Sequence, residues 1–259
     1  MRDAVVTFDT GAATHPGKVR ERNEDAFLAQ PATGVWAVAD GMGGHDAGDV
    51  ASATVVQALG TIVRPRSARE LLAQCEDRVV RANARLLEIA QERGGAVIGT
   101  TLAVLLTFDT HYACVWSGDS RIYLVRGGEI MQLSRDHTQV QQLVENGALT
   151  AEEARNWPGR NVITRAIGVT EAPELELENG MLRPGDVFVL CSDGLTGHVT
   201  DPEILQAVGS GPAQQACDAL VALTLERGAR DNVTVVVVRY RPQAPRFSMT
   251  PAGRMDTWG

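Results

Sequence analysis

Short runs of β-branched and aromatic residues recur along the chain, and in its middle they are separated only by turns. The stretch 115–133, VWSGDSRIYLVRGGEIMQL, places apolar runs on both sides of the glycine-containing turns SGDS and RGGE. Turns this short join antiparallel strands, because a parallel connection needs a crossover of a dozen or more residues. Such runs, which predict antiparallel sheet, lie at 4–8, 34–40, 100–108, 112–118, 121–128, 186–193 and 232–240.

Segments with helical spacing of apolar residues lie between these runs. In 49–63, apolar side chains recur at steps of three and four residues. Ser67, with Glu70 three residues later, has the pattern of a capping box, and the glycines at 94–95 end the helix that it begins. Grouped helices and hairpin strands predict an α+β fold with helices layered on antiparallel sheets. Further helices are expected at 138–147, from Thr150, and over 212–227.

The chain of 259 residues is long enough to bury a core as one large domain, which we place at 1–240. From 241 to 259 the sequence contains several prolines and has no periodicity, so we expect a flexible C-terminal tail. This tail offers little surface for burial, and the last predicted strand already closes the domain.

The charge and the cysteines exclude several classes of partner. The net charge of −8 argues against nucleic acid or an anionic membrane. No apolar run approaches the ~18–20 residues that a membrane span requires, and the N-terminus lacks the pattern of a signal peptide. The four cysteines form no CxxC pair, which predicts reduced thiols and no zinc site. We therefore expect a cytoplasmic protein and a monomer.

Acidic residues lie where the predicted strands end or begin. Asp40 follows WAVA and precedes a glycine, and Asp193 follows VFVLCS in the same way. Asp119 occupies a hairpin turn, Asp231 precedes the last strand, and residues 24–25 follow a further apparent strand end. If these strands are neighbours, their carboxylates gather at one edge of the fold.

Two interpretations of this pattern remain open at this point. Any one of these acids is also an ordinary turn residue, because Asp side chains bond their own backbone. Their number favours a metal site, since clustered carboxylates repel one another unless cations are present. An all-oxygen ligand set suits Mg²⁺ or Mn²⁺ rather than zinc. Two such ions, ~3.5–4 Å apart, would clamp a phosphoryl group.

The order of the motifs resembles that of the metal-dependent PPM, or type 2C, protein serine/threonine phosphatases, in the style of their bacterial branch. The resemblance runs from about residue 11 to 240 and implies a four-layer α-β-β-α sandwich of two antiparallel sheets flanked by helices. The motifs that carry it are 19–27, 38–52, 99–106, 117–124, 133–140, 161–168, 190–199 and 229–238.

The resemblance implies a centre for two ions, Mn²⁺ or Mg²⁺, with a weaker third site. Asp40 matches the carboxylate that bridges two ions, and the backbone carbonyl of Gly41 matches a ligand of one of them. Asp193 and Asp231 match ligands of the first ion. The remaining matches are Glu24 as a ligand of the second ion, directly or through water, Asp25 behind the bound waters, and Asp119 on the third ion.

The implied reaction is attack on a phosphate ester by a metal-bridging hydroxide. Arg20 matches the arginine that grips the substrate phosphate, because a planar guanidinium suits bidentate contact. The general acid stays open: many members have histidine where this chain has Met42, and His45 is either the acid or a loop residue. A metal-bound water is the alternative acid. The segment 139–168 matches the family's flap, which could sort phosphoproteins by their flanking residues.

The resemblance predicts a phosphatase for phosphoserine and phosphothreonine in proteins, opposing a Ser/Thr kinase in bacterial signalling. Its partners would be phosphorylated proteins, namely that kinase and its substrates. Two alternatives remain: a regulatory module that only binds phosphopeptides, and a hydrolase for small phosphate esters. The complete set of acids argues against the first, since a pure binder could lose Asp193 or Asp231.

Overall fold

Two antiparallel sheets pack face to face in the computed structural model, which describes residues 6–43, 47–155 and 157–242. The first sheet contains, in spatial order, β1 (Val6–His15), β11 (Val233–Pro242), β10 (Val187–Cys191), β7 (Arg121–Arg126) and β8 (Glu129–Gln132). The second sheet contains β2 (Asp25–Gln30), β3 (Val35–Gly43), β5 (Leu102–Phe108), β6 (His111–Ser117) and β9 (Glu176–Met181). The short strand β4 (Ile98–Thr100) pairs with the far end of β3.

Helices cover the outer face of each sheet. The long pair α1 (Gly48–Leu59) and α2 (Ala68–Glu92) packs on the second sheet. The first sheet is covered by α5 (Asp193–Thr196), α6 (Asp201–Val208) and α7 (Ala213–Glu226). Two short helices, α3 (Gln139–Glu145) and α4 (Ala151–Arg155), lie in the connection from β8 to β9. No helix in the described part of the chain combines the length and hydrophobicity that a membrane crossing requires.

The core follows the alternation of side chains along the strands. In β3, Trp36 and Val38 point between the two sheets, whereas Val35 and Ala37 point towards α1 and α2. Strands buried on both faces need apolar residues at every position, which explains their continuous apolar runs. The four-layer α-β-β-α sandwich implied by the sequence is therefore confirmed.

Three strands were not anticipated: the short strand β4, and the strands β2 and β9 at the edges of the second sheet. The sequence of β2, DAFLAQ, contains alanine and glutamine, and that of β9, ELENGM, is mostly polar and half exposed. An edge strand is only partly buried, so it needs no apolar alternation and leaves a weak sequence signal. Asp25 therefore begins a strand rather than following one.

The capping of α2 confirms one local prediction in part. The backbone N–H of Glu70 donates to the Ser67 side chain at 3.1 Å, as a capping box requires. The Glu70 carboxylate, however, accepts from the backbone N–H of Arg66 at 2.8 Å rather than from that of Ser67. The helix ends at Glu92, before the two glycines at 94–95, which adopt positive φ.

We expect the chain to tolerate removal of everything after Pro242 without loss of catalytic rate. Strand β11 runs to Pro242, which lies opposite Val6, and residues 243–259 lie outside the described residues. The phosphatase activity that the resemblance implies, measured as phosphate release from a phosphopeptide, should match that of the full chain. A cut after Val236 is the control: it removes buried residues of β11, including Val238, and should prevent folding. A large loss of rate on removing only 243–259 would show that the tail docks on the domain.

Candidate metal centre

Asp25 and Asp40 face each other at one end of the second sheet. They are directly paired residues of β2 and β3, so the antiparallel register fixes them as neighbours. The backbone around Asp40 is held on its other side by Thr101, which links β4 to β5: the Asp40 N–H donates to the Thr101 hydroxyl at 3.0 Å, and the Asp40 carbonyl accepts from the Thr101 N–H at 2.8 Å. The Thr100 hydroxyl donates to the same carbonyl at 2.9 Å.

The first sheet brings its own acids to the same place. Cys191 of β10 pairs with Arg121 of β7, so Asp119 and Asp193 both lie two residues beyond the same end of these strands. Cys191 also pairs with Val235 of β11, and Asp231 lies just before that strand. Strand ends of the two sheets therefore converge, and the acids meet across the seam between them.

Burial and mutual repulsion act on these carboxyls together. Burial raises the pKa of Asp25 to about 7, and Asp193 and Asp231 add to the shift. The pKa of Asp119 is raised to about 8 by burial and then by Asp193. Burial and then Asp25 raise the pKa of Asp40 well above its ordinary value. The folded chain therefore holds carboxyls that cannot all be ionised without added positive charge.

The donor set fits a hard divalent cation. Ser192 donates its hydroxyl to one oxygen of Asp25 at 2.8 Å, while Asp25 Oδ1 is buried without a hydrogen-bond partner among the described residues. All of the clustered groups offer oxygen, which Mg²⁺ and Mn²⁺ prefer. In the described ranges, no three His, Cys, Asp or Glu side chains are already arranged around one point. Ion binding would therefore require these side chains to reorient.

Two glycines allow Glu24 to approach this cluster. The Gly41 N–H donates to the Glu24 carbonyl at 3.1 Å, and a side chain at Gly41 would collide with the carbonyl of Gly48. A Cβ at Gly48 would lie 2.6 Å from the Glu24 carboxylate. A side chain at Gly41 is thus excluded by the neighbouring backbone, whereas the role of the Gly41 carbonyl as an ion ligand stays a prediction. Burial raises the pKa of Glu24, and a hydrogen bond from the backbone of Gly48 lowers it in part.

Arg20 lies at the edge of the cluster and binds one of its acids. Its Nη2 donates to Asp231 Oδ2 at 2.7 Å, and both side chains are roughly half exposed. Asp231, followed by Glu24 and Asp40, raises the pKa of the Arg20 guanidinium. An ion pair as exposed as this contributes about 1 kcal/mol or less, so an incoming phosphate can compete for the guanidinium.

Asn232 is a site residue that the sequence analysis did not assign. Its side-chain oxygen accepts from the Glu24 N–H at 2.8 Å, and its Nδ2 donates to the carbonyls of Pro16 at 2.9 Å and Arg22 at 2.8 Å. One amide thus ties the loop that carries Arg20 and Glu24 to the start of β11. The only sequence signal was its position directly after Asp231.

A family model described as protein phosphatase 2C matches residues 18–216. The chain belongs to the protein phosphatase 2C family. It is 40% identical over 239 residues to the serine/threonine protein phosphatase PstP of Mycobacterium tuberculosis, a match that covers 92% of this chain and 46% of PstP. It is 34% identical over 235 residues to the protein phosphatase PhpP of Streptococcus pneumoniae, covering 87% of this chain and 94% of PhpP. The chain therefore spans about half the length of PstP.

Solved structures of this family share the fold. The crystal structure of PstP from M. tuberculosis matches with a TM-score of 0.86 and 38% identity over 92% of this chain and all of that one. PppA, described as a regulatory component of T6SS in Pseudomonas aeruginosa, matches with a TM-score of 0.85 and 39% identity over 91% of this chain and 99% of its own. Another structure of the PstP catalytic domain holds two manganese ions. The family and the fold predicted from the sequence are confirmed.

Among the residues near the site of this phosphatase 2C domain, a buried histidine and a cysteine have structural rather than catalytic roles. His45, the candidate general acid, lies outside the described residues. His137 is buried. Its Nδ1 accepts from the Gly118 N–H at 3.1 Å, and its Nε2 lies 3.2 Å from Glu176 Oε1. It therefore holds the turn that presents Asp119. Cys191, next to the site, has its pKa raised by burial to about 12, so its thiol stays protonated and is no nucleophile.

The flap segment predicted at 139–168 reaches the carboxylates. Its Asn161 side chain donates to Asp193 Oδ2 at 3.4 Å. An isolated bridge between Thr138 and Ile163 joins its two ends, a bridge between Thr100 and Ile167 ties it to β4, and the His137 N–H before it donates to the Gly118 carbonyl at 2.9 Å. Trp157 is 42% exposed near its middle. The segment is thus anchored at both ends and lies against one side of the site.

Proposed function

We propose that this domain is a divalent-metal-dependent phosphatase for phosphoserine and phosphothreonine in proteins. The observation that carries the proposal is the convergence of carboxylates from the strand ends of both sheets, with pKa values raised by burial and mutual repulsion. Family membership supplies the chemical context, since the curated relatives are named serine/threonine protein phosphatases. The ligands are Glu24, Asp25, Asp40, the Gly41 carbonyl, Asp119, Asp193 and Asp231.

Two Mn²⁺ or Mg²⁺ ions, with a third at Asp119, complete this centre in our proposal. When bound, they neutralise the charge of a phosphate ester and make a water molecule more acidic. The chain's own residues perform the rest. Asp40, whose carboxyl is influenced by acids of both sheets, would hold the ions together with them, and Asp25, held by Ser192, keeps one oxygen directed away from that hydroxyl. Arg20 turns from Asp231 to the substrate phosphate.

We further propose that the protein opposes a Ser/Thr kinase in signalling and acts on the kinase and its substrates. We also propose a monomeric, cytoplasmic protein. The net charge of −8 supports protein rather than nucleic-acid partners. The anchored segment beside the site supports a macromolecular substrate, because a phosphoprotein would contact it while a small ester would not.

Phosphate release from a phosphothreonine protein, with and without chelator, tests the proposal. We expect release in millimolar Mn²⁺ or Mg²⁺, none in EDTA, and recovery when Mn²⁺ is restored. Release from a small aryl phosphate is measured in parallel. Hydrolysis of the aryl phosphate alone would favour a small-ester hydrolase, and binding without release would favour a regulatory module. Full release in EDTA would contradict the role of the carboxylates.

Replacing Arg20 with alanine should raise KM more than it lowers kcat. The phosphate is anionic before and during the reaction, so the guanidinium contact contributes to substrate binding as well as to catalysis. A charge-assisted hydrogen bond of roughly 1.5–3 kcal/mol implies about a ten- to hundredfold loss in kcat/KM. Arg22→Ala is the control and should change little. A loss in the Arg22 variant and none in the Arg20 variant would show that the phosphate contact was assigned to the wrong arginine.

A further inference from the structure

A cleft of about 440 Å³ opens beside the carboxylates, and one of its walls is basic. Asp193 and Asp231 line the end that adjoins the proposed metal centre. Three exposed arginines also line the cleft, together with His198 and smaller residues: Arg160, Arg227 and Arg230. A substrate whose phosphate lies over the acids would therefore extend its neighbouring residues along these arginines. This grouping of cations stands out in a chain of net charge −8.

His198 holds two of the arginines in the basic wall of the cleft by hydrogen bonds. The backbone carbonyl of His198 accepts from Arg227 Nη1 at 2.7 Å, and its ring Nε2 accepts from the Arg230 N–H at 3.2 Å. Arg227 also donates to the Glu203 carboxylate, with Nη1 to Oε2 at 2.8 Å. The charge of Arg227 is thus neutralised within the domain, and this side chain acts as a fixed support.

The turn before Arg230 has an uncommon backbone conformation. Ala229 is buried and has φ of 34°, a region that residues with a Cβ rarely adopt. Its carbonyl accepts from the Lys18 N–H at 2.8 Å, which ties the turn to the loop that carries Arg20. Such a conformation persists only where the surroundings impose it. The position of Arg230 is therefore set by the fold rather than by a flexible loop.

Arg230 differs from Arg227 in its partners. Within the described ranges, the Arg230 guanidinium makes no ion pair, whereas Arg227 is paired with Glu203. Arg230 directly precedes Asp231 and lines the same cleft as the acids, so a phosphate bound at the acids leaves the neighbouring substrate residues in the cleft with this guanidinium. An extended peptide advances about 3.3 Å per residue, which places the nearest substrate side chains beside this wall.

Resting on the proposed function, we propose that Arg230 is a specificity-determining residue. It binds a second anionic side chain, a carboxylate or a phosphate, within three positions of the phosphorylated serine or threonine. A guanidinium suits both groups, because it can donate two parallel hydrogen bonds to either. The domain therefore prefers phosphoproteins whose target site is flanked by acidic or phosphorylated residues.

The test uses the full chain with Mn²⁺ and a set of phosphothreonine peptides. Glutamate is moved through the three positions on each side, and every peptide has a glutamine counterpart. A second set carries phosphoserine at the same positions, blocked from hydrolysis as a non-hydrolysable phosphonate, and so separates phosphate from carboxylate recognition. The quantity measured is the ratio of kcat/KM for the acidic peptide to that for its glutamine counterpart. Because this ratio is taken within one variant, a general effect on the neighbouring Asp231 cancels.

We expect the wild-type ratio to reach about three- to tenfold at the best position, as for a partly exposed ion pair. Arg230→Gln should bring it near one, and Arg230→Glu should bring it below one. Arg64→Gln, an exposed arginine before α2, should keep the wild-type ratio. A wild-type ratio near one at every position, or a ratio kept by Arg230→Gln, would overturn the inference. Hydrolysis of an aryl phosphate with no peptide hydrolysed would instead overturn the proposed function.

Discussion

Replacing Asp193 or Asp231 with asparagine is expected to lower phosphate release by roughly a thousandfold or more, while the domain stays folded. Each acid lies where strands of the first sheet end beside Asp40, and asparagine offers one neutral oxygen in place of a carboxylate. The fold should survive because removing one acid from a crowded group lessens the repulsion among the others. Circular dichroism melts of the metal-free protein show whether each variant is folded, and phosphate release measures its catalytic rate.

Asp109→Asn is the matched control for these variants. Asp109 is exposed in the turn between β5 and β6, at the opposite end of the second sheet, and has φ of 51°. Asparagine tolerates this conformation, so the same chemical change should leave both fold and rate intact. If Asp193→Asn and Asp231→Asn also leave the rate intact, the acids are ordinary turn residues and the metal interpretation is wrong.

Stability in EDTA is expected to fall as the pH rises from 7 to 8. The pKa values of Asp25 and Asp119 in the folded chain are about 7 and about 8, against an ordinary value of 3.8. In this pH window the folded chain holds protons that the unfolded chain has already lost. Stability falls with pH wherever the folded state binds more protons. The free energy of unfolding should drop on the order of 1–2 kcal/mol over this window.

Added Mn²⁺ should remove this dependence on pH and raise the melting temperature. At a concentration one hundred times its dissociation constant, an ion that binds only the folded chain stabilises it by about 2.7 kcal/mol. For a domain of this size that corresponds to a shift of roughly 5–10 °C. Thermal melts at pH 7 and at pH 8, each with EDTA or with Mn²⁺, measure the melting temperature under all four conditions.

Between pH 7 and 8, the dependence of stability on pH comes from the acids rather than from the histidines. The pKa values of His137 and His198 are lowered, mainly by burial, so these side chains increase stability with pH, chiefly below about 6.5. Asp119→Asn should reduce the dependence of stability on pH in EDTA, because it removes the carboxyl with the higher pKa of the two. A melting temperature in EDTA that rises from pH 7 to 8 would contradict the crowding of the carboxyls.

The central strands and the gathering of the acids could be predicted from the sequence. β7 and β10 are buried on both faces, and such strands need unbroken apolar runs. Acids at the ends of paired strands meet because antiparallel register leaves few alternatives, as with Asp119 and Asp193 beyond the paired ends of β7 and β10. The edge strands β2 and β9 could not be predicted with the same method, since partial exposure removes the apolar pattern that marks a strand.

Contacts between segments that are distant in the sequence could not be predicted from local sequence patterns. Asn232 fixes the loop of Glu24 across more than two hundred residues, and Gly48 is required by the carboxylate of Glu24 rather than by its own turn. The pairing of Arg20 with Asp231 likewise depends on how two loops meet. Local patterns carry information on elements, whereas these contacts depend on tertiary packing.

Titrating Mn²⁺ into metal-stripped protein, with bound manganese and phosphate release followed in the same samples, tests the central claim most directly. The carboxylate cluster predicts no release from a phosphothreonine peptide before manganese binds. The rate should then rise with occupancy and level off when about two ions are bound per chain. Full release with no bound manganese, or manganese bound at these occupancies without any release, would contradict the assignment of a catalytic metal centre to these strand ends.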